Sequence, residues 1–288
     1  MDIAYYPGCT LHQSSNLYDI QTKKILAKLN IFLREIKDWS CCGATSAGKT
    51  DSFLQTALPA RNIGIAESFG FREMVVPCTG CYSNLITAQK KIKKDISLKD
   101  EINSAIPTKI EGNIKIYSIL ELLTKFLDAG DITKAITKKI QSIKAACYYG
   151  CLTRFSEDIP FFDDVENPQS MEKILDSIGA HHLDWNYKTF CCGASAAIND
   201  NETALNLMAK IFKDALSKGA NCIVTSCPMC QLNLDAHQDK FCKNHNINER
   251  LPIFFITELL GVCMGFTPEE LNADRHIIDG TSLIKELN

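Results

Sequence analysis

Ten of the 14 cysteines in this 288-residue chain fall into one pattern that occurs twice. The first copy is Cys9, the adjacent pair Cys41 and Cys42 followed by Gly43, then Cys78 and Cys81 as a C-x-x-C. The second is Cys151, the pair Cys191 and Cys192 followed by Gly193, then Cys227 and Cys230 as another C-x-x-C. The gaps are 31 and 35 residues in the first copy and 39 and 34 in the second. Thiols repeated in this order share a task, and in a reducing compartment metal ligation or catalysis precedes cross-linking as that task.

A structural zinc takes four ligands, commonly from two C-x-x-C pairs. Each half here offers one C-x-x-C, one adjacent pair and one single cysteine. A cubane iron–sulfur cluster also takes four cysteines, which bacterial ferredoxins gather in a tight run; this chain has no such run. The adjacent pair is the odd element. Neighbouring side chains on a regular strand point to opposite faces, so both can reach one group only at an irregular turn. Gly43 and Gly193 give the backbone that freedom and allow close approach to a bulky group. Two neighbouring thiolates reach different metal atoms more easily than the same one. The residues favour a multinuclear iron–sulfur centre over mononuclear zinc; a zinc scaffold and disulfides remain the alternatives.

The elements that must position these thiols are also repeated. Ile3 to Cys9 aligns with Ala145 to Cys151, and Met74 to Cys78 with Ile223 to Cys227. An Asn-Leu follows each C-x-x-C, at Asn84-Leu85 and Asn233-Leu234. Ile116 to Leu123 aligns with Ile253 to Leu260. Such similarity argues for duplication and a pseudo-two-fold arrangement. Short apolar runs before Cys9, Cys78, Cys151 and Cys227 predict buried strands. Met171, Ile174, Leu175 and Ile178 share one helical face, as do Leu205, Met208, Phe212 and Leu216. Alternating strands and helices predict an α/β fold with mostly parallel sheets. Cysteines that follow strands would then converge at the carboxyl edge of a sheet, where open α/β folds bind ligands. The join is expected near residue 140, giving units at 1–140 and 141–288, and the charged stretch from Lys90 to Glu111 reads as a helix end and a loop.

A net charge of -3 gives no reason to expect nucleic acid or an anionic membrane as partner. The opening residues lack a signal-peptide layout. The apolar stretch from Ile253 to Phe266 is interrupted by Thr257 and Glu258 and is shorter than the roughly 20 residues of a spanning helix. A cytoplasmic protein without a membrane span is expected.

The doubled pattern of single cysteine, Cys-Cys-Gly and C-x-x-C resembles the CCG-domain family. The opening Tyr5-Tyr6-Pro7-Gly8-Cys9-Thr10 and the lack of fused ferredoxin motifs are most similar to the B subunits of heterodisulfide reductase from methanogenic archaea. The resemblance covers nearly the whole chain and implies two tandem Rossmann-like CCG domains. Each would hold a noncubane 4Fe–4S cluster, one on Cys9, Cys41, Cys42, Cys78 and Cys81, the other on Cys151, Cys191, Cys192, Cys227 and Cys230. It implies reduction of the coenzyme M–coenzyme B heterodisulfide to two thiols in methanogenesis, by two one-electron transfers. The implied partners are the other components of a heterodisulfide reductase complex, one ferredoxin-like and one flavin-containing, together with a hydrogenase. Related CCG subunits in lactate, glycolate, glycerol-3-phosphate and thiol:fumarate systems supply the alternative, an electron carrier. Because that substrate is anionic, His12, Lys49 and Arg154, each close after a motif, are candidate clamps.

Three further matches carry less. Gly43 to Thr50 fits a phosphate-loop pattern, but no strand is expected before it and the second copy lacks the Lys-Thr. His181-His182 has no partner at ligand spacing, and His237, Cys242 and His245 miss zinc-finger spacing. Cys147, Cys222, Cys242 and Cys263 have no counterpart in the other half; Cys147, Cys222 and Cys263 read as small core residues.

Overall fold

The computed structural model describes residues 1–44, 47–153, 162–197 and 200–285, the side chains of Lys49, Leu152 and Thr153 excepted. Eight strands form among these residues: β1 (Asp2–Tyr5), β2 (Phe32–Glu35), β3 (Glu73–Val76), β4 (Lys115–Ser118), β5 (Lys144–Tyr148), β6 (His181–His182), β7 (Cys222–Thr225) and β8 (Ile253–Phe255). They assemble into two sheets of four, ordered β2-β1-β3-β4 and β6-β5-β7-β8. Every pairing is parallel, for instance Ala4 with Met74 and Ala146 with Ile223. The identical order in both sheets is the duplication expressed as topology.

Strands buried on both faces read as unbroken apolar runs. Ile3, Ala4 and Tyr5 of β1, Met74 to Val76 of β3 and all of β7 are buried, which is why they stand out in the sequence. The edge strands do not stand out. β2 is mostly exposed and β6 is a two-residue pair of exposed histidines. Met171, Ile174, Leu175 and Ile178 are fully buried on the helix Ser170–Ile178, and Leu205, Met208 and Phe212 are buried on Asn201–Ser217. The stretch after Lys90 differs from its expected form. Asp95 ends the helix Thr79–Lys94 and caps a second, Ile96–Ala105, by accepting from Leu98 N at 3.0 Å. The lysine-rich run closes the first helix, as expected, and the Asx cap starts a second helix where a loop is expected.

The halves are joined by reciprocal contacts. The helix Asn16–Lys28 packs on Ile256–Cys263, and, in the same relation, Ser170–Ile178 packs on Ile119–Asp128. Tyr18 is fully buried in that seam, its ring stacked on Phe255 at 4.0 Å and its hydroxyl donating to Ser226 O at 2.8 Å. Gln21 donates to Leu271 O at 2.9 Å and accepts from Thr257 at 3.0 Å. One apolar core runs through both halves, from Tyr5 and Leu122 to Cys147, Met171 and Leu259. A second, around Phe212, Phe241 and Ile253, closes the outer face of the second sheet. Among the described residues, no helix is long and apolar enough to cross a membrane.

Candidate metal centre

Strand order 2-1-3-4 reverses direction between β1 and β3, and ligands of such sheets sit outside the carboxyl ends of the strands at that switch. Cys9 lies just beyond β1 and Cys78 and Cys81 just beyond β3, so they straddle the crevice. Cys151 beyond β5 and Cys227 and Cys230 beyond β7 straddle the equivalent one. The Cys-Cys-Gly segments reach the same edge differently. They are irregular loops that follow the edge strands β2 and β6 at a distance.

Each loop is pinned by the same bonds in both halves. Tyr6 donates to the carbonyl of Ser40 at 2.8 Å, and Tyr148 to that of Phe190 at 2.6 Å, the residue before the cysteine pair each time. Asn84 donates to the carbonyl of Cys42 at 2.9 Å, and Asn233 to that of Cys192 at 2.8 Å. Gly43 and Gly193 have φ of 73° and 77°, a left-handed conformation that L side chains rarely adopt. That bend lets their N–H groups point at the preceding thiols, Cys41 at 3.4 Å and Cys191 at 3.3 Å. Sequence reasoning assigned no role to these tyrosines and asparagines, although their retention in both halves was the available signal.

The sulfurs crowd together. Cys42 and Cys81 Sγ are 3.2 Å apart, and Cys192 and Cys230 Sγ 3.8 Å. The glycines beyond β1 and β5 make room for them. A Cβ on Gly8 would lie 2.9 Å from Cys81 Sγ, and one on Gly150 would lie 3.1 Å from Cys230 Sγ. Crowding splits the acidities. The hydrogen bond from Cys81, helped by Ala44 N–H, brings Cys42 down to about 7 against its burial. Cys151 and the Gly193 N–H hold Cys191 at about 6, and Cys230 holds Cys227 at about 6. Their partners Cys81, Cys151 and Cys230 are pushed up, first by their hydrogen bonds with Cys42, Cys191 and Cys192 respectively. Five thiols in one crevice cannot all become thiolates without a compensating cation, and a coordinating metal removes their protons outright.

The fit to an iron–sulfur cluster follows from this donor set: thiols alone, at one sheet edge, around a glycine-lined approach. Cys42, Cys78, Cys81, Cys192, Cys227 and Cys230 are buried, whereas Cys9, Cys41 and Cys191 are exposed and Cys151 is half-buried. Among the described residues no three His, Cys, Asp or Glu side chains are set to hold a single metal ion.

The two sites face each other. The helix Gly8–His12, carrying Cys9, touches Pro228–Ala236, carrying Cys230; reciprocally, Gly150–Thr153, carrying Cys151, touches Thr79–Lys94, carrying Cys81. Thr10 Oγ1 lies 3.7 Å from Met229 Sδ, and the Thr79 side chain hydrogen-bonds Cys227 across the seam. Tyr18 stands between the sites. Burial above all, then the charges of Cys227 and Cys78, push its hydroxyl far above the usual tyrosine range.

Of the other residues singled out, His12 stands at the rim of the first site. Its Nε2 meets Glu35 Oε1 at 3.1 Å, and its ring lies edge-on to Trp39 at 5.0 Å. Arg154 and the Lys49 side chain lie outside the described residues. Gly43 to Thr50 has no strand leading into it, only the short helix Ala47–Thr50 at its end, and Thr45 and Ser46 are not described. His182 pairs with Asp176 at 3.3 Å. Cys147, Cys222, Cys242 and Cys263 are fully buried, away from solvent.

A sequence profile of the CCG cysteine-rich domain matches residues 3–86 and again 145–235. Over 289 residues the chain is 31% identical to the 8-methylmenaquinol:fumarate reductase membrane anchor subunit of Wolinella succinogenes, covering 98% of this chain and 99% of that one. It is 28% identical over 291 residues to the B subunit of the ferredoxin/F420H2-dependent CoB-CoM heterodisulfide reductase of Methanosarcina acetivorans, covering 99% and 96%. Among solved structures, a hypothetical protein from Helicobacter pylori shares the fold with a TM-score of 0.77 at 14% identity. That match covers 96% of this chain but 51% of the other, so the chain spans about half of it. With both halves matched and the same five-cysteine order in each crevice, this chain belongs to the CCG cysteine-rich domain family, of which it carries two copies.

Proposed function

We propose that this chain is the electron-transfer component of a multisubunit oxidoreductase, with Cys9, Cys41, Cys42, Cys78 and Cys81 holding one noncubane 4Fe–4S cluster. Cys151, Cys191, Cys192, Cys227 and Cys230 hold the second. The observation that carries the reading is the reciprocal contact, across the seam between the halves, of the elements that carry Cys9 and Cys230, and Cys81 and Cys151. Clusters held there would supply electrons one at a time, from two sides of one interface. The chain's own contribution is to fix the loops through Tyr6, Tyr148, Asn84 and Asn233, and to keep Cβ atoms out of the way at Gly8 and Gly150.

Reduction of the CoB–CoM heterodisulfide uses such a pair directly. The S–S bond breaks, two electrons enter and two protons are taken up, giving two thiols. Lys49 and Arg154, close after the motifs in sequence, are the residues assigned to the anionic ends of that substrate in this reading. Ferredoxin-like and flavin-containing partner proteins, with a hydrogenase, would supply the electrons. A second reading, relay of electrons between a methylmenaquinol and fumarate, is favoured by the 31% identical relative from Wolinella. It is favoured also by His12, whose pairing with Glu35 leaves it a poor anion clamp.

Anaerobic purification followed by iron and sulfide counting tests the shared part. About eight irons per chain are expected for two four-iron clusters; a colourless protein holding zinc alone would overturn both readings. Reduced viologen with the heterodisulfide then separates them. Turnover assigns disulfide reduction, and full clusters without turnover assign the relay.

A further inference from the structure

The duplication supplies an internal control for every residue around the sites. Position by position, the first Cys-Cys-Gly loop is entered through Ser40 and the second through Phe190, and both offer the same backbone carbonyl to the same tyrosine. Cysteine positioning therefore does not call for an aromatic ring there, since a serine serves in the first copy. Yet Phe190 leaves 46% of its surface in water, directly beside the exposed Cys191.

The ring is held rather than loose. Phe190 N bonds Tyr187 O at 3.3 Å, closing a turn that brings the two rings to 4.5 Å. Asn186 fastens that turn to Asp214 with two bonds of 2.8 Å. Lys188, itself buried, anchors it from below by an ion pair to Glu172 at 2.7 Å and a bond to Asn167 at 3.1 Å. The segment thus brought alongside carries exposed Val165 between exposed Asp164 and Glu166, with Asp163 half-buried. Asp184, before the turn, is exposed too; among the described residues, Lys173 on the following helix is an exposed cation in that stretch. Aromatic anchors in a fixed loop, ringed by polar groups, are what interface centres are built from.

We infer that the Phe190 face is where a redox partner protein docks, so that electrons cross between that partner and the second site through Cys191. The inference rests on the electron-transfer reading above and adds which site meets the partner and what the partner looks like. Its contact patch is apolar at the centre and rich in lysine or arginine at the rim, to complement Asp164, Glu166 and Asp184.

The test uses the iron-loaded full chain, reduced and freed of reductant, mixed rapidly with cytochrome c as a basic one-electron protein acceptor, or with ferricyanide as a small one. Phe190→Ser, which copies the first half, is expected to slow cytochrome c reduction ~tenfold. Asp164→Asn with Glu166→Gln is expected to slow it and flatten its dependence on salt. Iron content and the ferricyanide rate should stay at their unsubstituted values. Leu54→Ser, at a residue 41% exposed on the helix Ser52–Ser68 of the first half, serves as control and should change nothing. Unaltered cytochrome c rates in the Phe190 and acidic variants, or an equal loss in Leu54→Ser, would overturn the docking face. Loss of iron or of the ferricyanide reaction in the unsubstituted chain would instead overturn the electron-transfer reading beneath it.

Discussion

Gly8→Ala separates backbone strain from occupancy of the metal site. Gly8 has φ of 72° and lies against Cys81 Sγ, where an added Cβ would approach to 2.9 Å. Gly70 has φ of 78° and nothing within 4 Å of the same added atom. Placing alanine in the left-handed region costs about 1–2 kcal/mol at either position. Gly70→Ala should therefore lose about that much stability to denaturant and keep its full metal content. Gly8→Ala carries the same strain and adds a contact shorter than real Cβ atoms accept. The sulfur of Cys81 must move, and Cys42, 3.2 Å from it, must follow. The expected result is a folded protein, down by about the same 1–2 kcal/mol, whose iron content falls toward half because the first crevice no longer closes. Iron counting and visible absorption, read beside a denaturant titration of both variants, check it. Full iron with an unaltered spectrum in Gly8→Ala would refute the claim that this glycine is there to admit the sulfur.

Two more outcomes are expected. Asn233→Leu should leave the buried carbonyl of Cys192 unpaired, at a cost of about 1–3 kcal/mol, and should lower iron retention at the second site; calorimetry and iron counting on the variant would show it. His276 is buried between Glu258 at 2.7 Å and Asp235 at 3.8 Å. Burial works against its charge, but the Glu258 and Asp235 carboxylates prevail and hold it at about 10. A raised histidine contributes stability fully below its unfolded value of about 6.5 and loses it as pH climbs through the folded value. Stability should thus fall between about pH 6.5 and about pH 10 by an amount on the order of 5 kcal/mol. His276→Gln should abolish most of that slope in denaturant titrations; an identical slope in the variant would remove the assignment.

Much of the site was legible because thiols are rare and duplicated. Cys9, Cys78, Cys151 and Cys227 follow strands whose burial on both faces writes an apolar run into the sequence. The edge strands escaped, since β2 contains Phe32, Arg34 and Glu35 exposed to water, and no apolar pattern marks such a strand. Gly43 and Gly193 announced an irregular turn, yet the bonds that hold it run to Tyr6, Asn84, Tyr148 and Asn233, residues distant in sequence. His276 gave no sign of its role. Its partners Asp235 and Glu258 come from two helices that only the packed second half brings together.

Duplication accounts for two sites but not for their facing each other; the seam does that. Had the halves packed through their outer sheet faces, each crevice would open to water on its own. Instead the helices Asn16–Lys28 and Ser170–Ile178, which follow the first strand of each half, each pack on the helix that follows the last strand of the other half. The elements carrying Cys9 and Cys230, and Cys81 and Cys151, are thereby drawn into contact. Tyr18 on the first of those helices then reaches Ser226, the residue before Cys227, while also feeling the charge of Cys78. A hydroxyl so buried stays protonated and remains a donor. It fixes the approach of the second C-x-x-C to the first without adding charge between two sites already rich in thiolate. The separation of the two sites is in this way set by core packing around Tyr18 and Phe255, the same contacts that hold the halves together.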